Sequence, residues 1–254
     1  MRGLSVCIET LWTDLPHEER IVRCAELGFE AIEFWHWRNK DLNAIRGTVR
    51  ETGVAVAAFC LQPDFALTNP EVTQRLLDDA EASVDAARFL GAKRLIGTIG
   101  SAPEDRSPDE TLEIIVRNLK ALAPLLERHA VTLCVEPLNT VDHPGYFLTR
   151  MDMACDIVDA VGSERVRVLL DFYHQERTEG GALKLFRQHE ARIAHIHCAG
   201  VPDRGELTNS SLDYADVFGA LKVSNYSGYV GLEFMPHGYP ELALSEARRL
   251  RQNV

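Results

Sequence analysis

The chain has 254 residues, a length that one α/β barrel fills and that leaves too little for two ordinary domains. Apolar residues make up 46% and charged residues 26%, a globular composition that excludes a disordered or fibrous chain. Lys and Arg number 27 against 38 Asp and Glu; the formal charge of −11 argues against nucleic acid or an anionic membrane as the main partner. No run of about 18 apolar residues occurs, so a membrane-spanning helix is not expected. The opening MRGLSVCIET has no long apolar segment and no small-residue cleavage site, which argues against secretion. Six cysteines are scattered without a CxxC pair and read as reduced, mostly buried thiols of a cytoplasmic, enzyme-sized protein, neither a zinc knuckle nor a disulfide frame.

Short β-branched runs alternate with longer helical patterns along the whole chain. The expected strands are Leu4–Glu9, Ala31–Phe34, Val54–Cys60, Arg94–Ile99, Thr132–Glu136, Val166–Asp171, Ile193–Ala199 and Tyr229–Phe234. Helical patterns fall at His17–Leu27, Asp41–Thr52, Pro70–Leu90, Pro108–His129, Thr149–Val161, Leu183–Glu190, Tyr214–Val223 and Pro240–Asn253. Asn69–Pro70 and Ser107–Pro108 offer a capping residue before a proline at the first helical position. Gly28, Gly53, Gly91 and Gly162 stand where helices should stop. Eight strand–helix units with no linker predict one (β/α)8 TIM barrel over residues 1–254. An open doubly wound sheet would want a glycine-rich phosphate loop after an early strand, and the chain has none.

Successive strand residues face opposite ways, so each strand can be divided into two faces. Ser5, Cys7 and Glu9 share one face of the first strand; Thr132, Cys134 and Glu136 share one of the fifth. Arg167, Leu169 and Asp171 align on the sixth, Ile193, His195 and His197 on the seventh, and Tyr229, Gly231 and Glu233 on the eighth. The opposite faces are aliphatic and suit packing on helices. The mixed faces end in an acid or a histidine, and in a barrel that end is the C-terminal mouth where barrel enzymes do their chemistry. Glu33 adds a carboxylate from the second strand.

Clustered carboxylates resist burial unless they share protons or bind a cation. Glu136, Asp171, His197 and Glu233 come from four consecutive strands and would surround one point. Three carboxylates and one imidazole suit one divalent ion, Mn²⁺, Mg²⁺ or Co²⁺, with positions open for substrate oxygens. His174, just past the sixth strand, reaches over the same mouth, whereas His195 sits one pleat deeper and reads as a packed interior residue. Arg204 is placed to clamp a substrate carboxylate. The aromatic stretch Phe34-Trp35-His36-Trp37-Arg38 either walls the pocket or packs on a partner subunit.

Five segments then fall into a known order: Val135-Glu136-Pro137-Leu138-Asn139, Asp142-His143-Pro144-Gly145-Tyr146, Asp171-Phe172-Tyr173-His174, His195-Ile196-His197 and Gly231-Leu232-Glu233-Phe234. Together they resemble the xylose isomerase-like barrels, and most closely the hydroxypyruvate isomerase branch, over essentially the whole chain. The resemblance implies a (β/α)8 barrel that assembles into homo-oligomers, with Glu136, Asp171, His197 and Glu233 as metal ligands. It implies Glu136 and Glu233 as the acid/base pair and His174 and Arg204 as holders of substrate oxygens. Glu33 and Asp142 are further candidates for substrate contact. Some hydroxypyruvate isomerases carry Gln at the position of His197, whereas ketose 3-epimerases carry His there. The expected activity is proton transfer between adjacent carbons of a small hydroxy-carbonyl compound. Alternatives are a ketose 3-epimerase on a free sugar, a phosphodiesterase of the endonuclease IV type, and a non-catalytic sugar binder. The phosphodiesterase would want more histidines and a basic surface.

Overall fold

The computed structural model describes residues 1–62, 66–70 and 73–253. Eight parallel strands close into a barrel in sequence order. They are β1 (Gly3–Cys7), β2 (Ala31–Phe34), β3 (Ala55–Cys60), β4 (Arg94–Gly97), β5 (Thr132–Val135), β6 (Val166–Asp171), β7 (Ile193–Cys198) and β8 (Tyr229–Leu232). Around them run α1 (His17–Glu26), α2 (Leu42–Thr52), α3 (Thr73–Leu90), α4 (Pro108–His129), α5 (Met151–Val161), α6 (Phe172–Thr178), α7 (Ala182–His189), α8 (Tyr214–Val223) and α9 (Pro240–Gln252). The expected α3 start at Asn69–Pro70 runs into residues 71–72, which lie outside the described residues. No helix among the described residues is long and apolar enough to cross a membrane.

The aliphatic strand faces do pack outward. Val6, Ile32, Val56, Leu133, Val168, Ile196 and Val230 join helix residues such as Ile45, Leu119 and Val217 in the core between barrel and helices. Inside the barrel small and large side chains mix, with Ala58, Ile96, Cys134 and Leu169 forming one cluster and Ala31, Ala57 and Tyr229 another. Strict alternation fails at two places. The register slips between Ile32 and Glu33 against β3, so the consecutive Ala57 and Ala58 both belong to interior clusters. It slips again between Val168 and Leu169 against β7. There Ile193, expected on the inner face with His195, packs in the outer core, and Ala194 packs against the inner cluster instead. An extra residue in one strand of a pair re-aims the side chains beyond it. Both slips lie beside the residues that build the mouth.

The strands β1, β4, β5, β7 and β8 end one or two residues earlier than expected, which leaves Glu136 and Glu233 as the first residues beyond β5 and β8. Both remain tied to the sheet: the Glu136 amide donates to the Gly97 carbonyl at 3.1 Å and the Glu233 amide to the Cys198 carbonyl at 3.0 Å. The helix α6 has no counterpart among the expected elements. It is short and begins directly on the sixth strand, because Asp171 ends that strand and also caps the helix.

The glycine stops behave as expected, with Gly53 and Gly162 in the left-handed region at the ends of α2 and α5. Ser107 caps α4 in a reciprocal arrangement in which its hydroxyl accepts from the Glu110 amide and the Glu110 carboxylate accepts from the Ser107 amide. Replacing Ser107 by Ala should therefore cost about 1 kcal/mol in urea unfolding, with metal binding unchanged. An unchanged unfolding midpoint would mean that the exposed cap contributes nothing.

Candidate metal centre and active site

Four side chains from four neighbouring strands meet at the mouth. Glu136, Asp171, His197 and Glu233 are all buried, and each offers a ligand atom within 4.8 Å of the others. The details explain which atoms are free. Asp171 accepts the Tyr173 and His174 amides on Oδ1, at 2.8 and 3.4 Å, as the cap of α6. That leaves Asp171 Oδ2 buried with no hydrogen-bond partner. Glu136 Oε1 and His197 Nδ1 are likewise buried and unpartnered. His197 Nδ1 lies 3.4 Å from Glu233 and 3.8 Å from Glu136. Buried polar atoms are normally satisfied, so three orphaned acceptors or titratable atoms facing one point fit a divalent cation.

The charges around that point are unevenly balanced. Burial works against ionisation of Glu233, but His197, Arg204 and Trp35 outweigh it and hold the carboxyl well below its ordinary range. The Arg204 guanidinium donates to Glu233 at 2.6 Å, and the Trp35 indole N–H donates to its other oxygen at 2.6 Å. Glu136 has no such donors; burial, with Glu233 and Asp171 nearby, pushes it up to about 8. Burial works against protonation of His197, but Glu233 and Glu33 overcome it and raise its pKa well above the usual imidazole value. In the metal-free protein, protons therefore occupy positions that a cation would take.

A cavity of about 560 Å³ opens above this cluster. Glu136, Glu233, His174 and Arg204 line it with Trp35, Cys60, Leu61, Ile96 and Leu138. His174 enters in a defined tautomer: the Asn139 backbone and side-chain amides face its Nδ1 at 3.3 and 2.7 Å, so Nδ1 accepts and Nε2 carries the hydrogen. That Nε2 is buried, unpartnered and 3.6 Å from Asp171 Oδ2. Burial lowers the His174 pKa, which keeps the ring neutral. Arg204 adopts φ +62° and also presents an unpartnered buried Nε.

Two expected substrate contacts lie elsewhere. Glu33 is buried below the cluster, not in the cavity wall; Ser5 Oγ donates to one of its oxygens, and His195 and His197 each meet the other at 2.9 Å. Asp142 is not among the residues that line the cavity; its Oδ2 accepts from Asn139 at 2.9 Å and from the Tyr173 hydroxyl at 2.6 Å, and Arg177 stands 3.6 Å from its Oδ1. Glu9 does not join the cluster either. It pairs with Lys40 and accepts the Trp35 amide. His195 is a packed interior residue, as expected. Trp35 is the functional side chain that sequence reasoning leaves undecided, and its aromatic-rich loop is the signal. Tyr146 also supports the site, its hydroxyl donating to the Glu136 carbonyl at 3.0 Å and accepting from the Ile99 amide at 2.7 Å. Among the described residues one other group could gather a metal, Glu33, His195 and His197, but it shares His197 and its members are hydrogen-bonded to each other.

With this geometry in place, the comparison with known proteins is direct. A family model for the xylose isomerase-like TIM barrel matches residues 21–253. The chain belongs to that family. It groups with the family's isomerases. It is 27% identical to the hydroxypyruvate isomerase of Escherichia coli over 251 residues, covering 96% of this chain and 97% of that one. It is 29% identical to the 2-oxo-tetronate isomerase of Cupriavidus necator, covering 86% of each. A solved structure described as an AP endonuclease, family 2, from Brucella melitensis superposes with a TM-score of 0.93 at 27% identity, covering 98% of this chain and 99% of that one. A D-psicose 3-epimerase from Clostridium cellulolyticum shares the fold, with a TM-score of 0.81 at 16% identity and 99% coverage of both chains.

Metal uptake should release protons, because Glu136 and His197 hold them in the metal-free protein. Mn²⁺ affinity should therefore rise from about pH 6.5 to about pH 8.5, and calorimetry in buffers of different ionisation enthalpy should record proton release at the lower pH. Equal affinity and no proton release at both would contradict the charge balance described above.

Proposed function

We propose that this chain is a divalent-metal-dependent isomerase of small 2-keto acids of the hydroxypyruvate kind, moving a proton between adjacent carbons through an enediolate. The observation that carries this reading is the pairing of an arginine with a metal-ligating carboxylate at one cavity wall: Arg204 meets Glu233 at 2.6 Å and keeps a buried Nε free. A planar guanidinium is suited to a substrate carboxylate. The family membership and the names of the relatives point the same way.

Glu136, Asp171, Glu233 and His197 Nδ1 would hold the cation. When bound, it polarises the substrate carbonyl and offsets the negative charge that develops on the adjacent oxygens. The chain's own residues supply the rest. Glu136, the carboxylate least supported by donors, takes the proton from the hydroxymethyl carbon. The electron pair of that C–H bond forms the C=C of the enediolate as the carbonyl π pair moves onto oxygen. The same carboxylate returns the proton to the neighbouring carbon, and the hydroxyl proton passes between the two oxygens, giving an aldehyde next to a secondary alcohol. His174 donates its Nε2 hydrogen to a substrate oxygen. Trp35 and Arg204 keep Glu233 ionised and fixed, while Leu61, Ile96 and Leu138 keep water from the reacting carbons.

A second reading, a ketose 3-epimerase, has one observation in its favour: His197 stands where ketose 3-epimerases carry His and some hydroxypyruvate isomerases carry Gln. The two separate in heavy water. Mn²⁺-loaded protein should convert hydroxypyruvate to tartronate semialdehyde, with deuterium on the carbon beside the carboxylate to the extent that protonated Glu136 exchanges with solvent before it returns the proton, read by NMR, and should leave erythrulose, fructose and tagatose largely unchanged. Arg204→Lys should weaken keto-acid turnover by about 1–3 kcal/mol in kcat/KM through loss of the bidentate fork. C3 epimerisation of a ketose without keto-acid turnover, and an Arg204→Lys protein unchanged on keto acids, would overturn the first reading in favour of the second.

A further inference from the structure

We propose that Glu33 is a positioning residue for the metal centre, fixing His197 in the tautomer and ring orientation that aim Nδ1 at Glu136, Asp171 and Glu233. The inference rests on the reading of that cluster as a divalent-cation site. Glu33 is 2% exposed and does not line the cavity, so it cannot reach a substrate. Its Oε1 accepts from Ser5 Oγ on β1, and its Oε2 lies 2.9 Å from Nε2 of both His195 and His197 on β7.

Oε1 already accepts the Ser5 hydroxyl and Oε2 faces two ring nitrogens at once, so the carboxylate is the acceptor and the nitrogen facing it carries the hydrogen. With its hydrogen on Nε2, a neutral His197 has its lone pair on Nδ1, the atom left unpartnered toward the other ligands. The opposite tautomer would set a bare Nε2 against a carboxylate oxygen, two acceptors at hydrogen-bond distance. The ring is also held mechanically. His195 stands edge-on to it, with ring centroids 5.0 Å apart and planes at 77°, and shares the same Glu33 oxygen. On the β8 side, Gly231 lies in register with His197. A Cβ on Gly231 would come within 2.6 Å of His197 Cδ2 and 2.7 Å of Glu33 Oε1. A side chain there has no room, and the glycine admits the histidine–carboxylate pair. The register slips at Ile32/Glu33 and Val168/Leu169 fall on β2, which supplies Glu33, and at the pairing of β6 with β7, which supplies His197.

Partners that orient a ligating histidine in this way typically govern metal affinity by 10–100-fold, roughly the loss expected here for Mn²⁺ in Glu33→Leu. Glu33→Gln should recover most of that affinity. Its amide oxygen still accepts from the imidazoles, while its NH₂ donates to Ser5 Oγ, whose hydroxyl can reverse. Thermal unfolding shows whether each variant folds. The wild-type protein gives a readout that needs no variant: on titration with diamagnetic Zn²⁺, long-range ¹⁵N–¹H spectra should show His197 Nε2 keeping its hydrogen while the Nδ1 resonance shifts on coordination. Coordination through Nε2, wild-type Mn²⁺ affinity in a folded Glu33→Leu protein, or Glu33→Gln as weak as Glu33→Leu would each overturn the proposal. Wild-type protein that binds no Mn²⁺ at all would instead remove the metal-centre reading beneath it.

Discussion

Three carboxylates and an imidazole are buried together at the mouth of the barrel, and the surrounding side chains are arranged around that electrostatic strain. Carboxylates leave water at a cost of several kcal/mol each unless charge or hydrogen bonds replace the solvent. Here the replacement is partial. Arg204 and Trp35 satisfy Glu233, and the α6 amides satisfy one oxygen of Asp171, yet Glu136 Oε1, Asp171 Oδ2 and His197 Nδ1 remain without partners. A cation at their meeting point would satisfy all three at once. The same residues that make the cluster unfavourable without an ion make it selective for a small, hard one.

The barrel makes this convergence possible. Parallel strands in sequence order carry each C-terminal residue to the same rim, so Glu136, Asp171 and Glu233 need only be the last or first-following residue of their strands. The interior beneath is filled by Ala58, Ile96, Cys134 and Leu169, apolar enough to leave the polar groups at the rim and in the layer around Glu33. Backbone amides at the start of α6 and the Asn139 amides then orient Asp171 and His174 without further charged groups. The cavity above can hold a reacting compound against aliphatic walls while its polar end meets Arg204 and His174.

The barrel and the four-residue cluster are legible in the sequence because both follow from simple periods: eight strand–helix units, and an inward phase that ends in an acid or a histidine. Where the period breaks, legibility is lost. Alternation alone puts Ile193 on the inner face, because the extra residue before His195 cannot be seen without the partner strand. The helix α6 escapes sequence reading because Asp171 serves strand and cap at once and seven residues carry too little periodicity. Glu33 looks like a substrate contact because sequence reveals that a carboxylate is near a site, not that Ser5, His195 and His197 already meet its oxygens. Trp35 stays undecided for a similar reason, since its role depends on a 2.6 Å hydrogen bond to Glu233, 198 residues away in sequence.

The most direct measurement is anomalous diffraction at the manganese edge from crystals of the Mn²⁺-loaded protein. One strong peak is expected, with oxygens of Glu136, Asp171 and Glu233 and Nδ1 of His197 about 2.1–2.3 Å from it, as suits a hard divalent ion. No peak at the mouth, or a peak with these four side chains dispersed from it, would contradict the account.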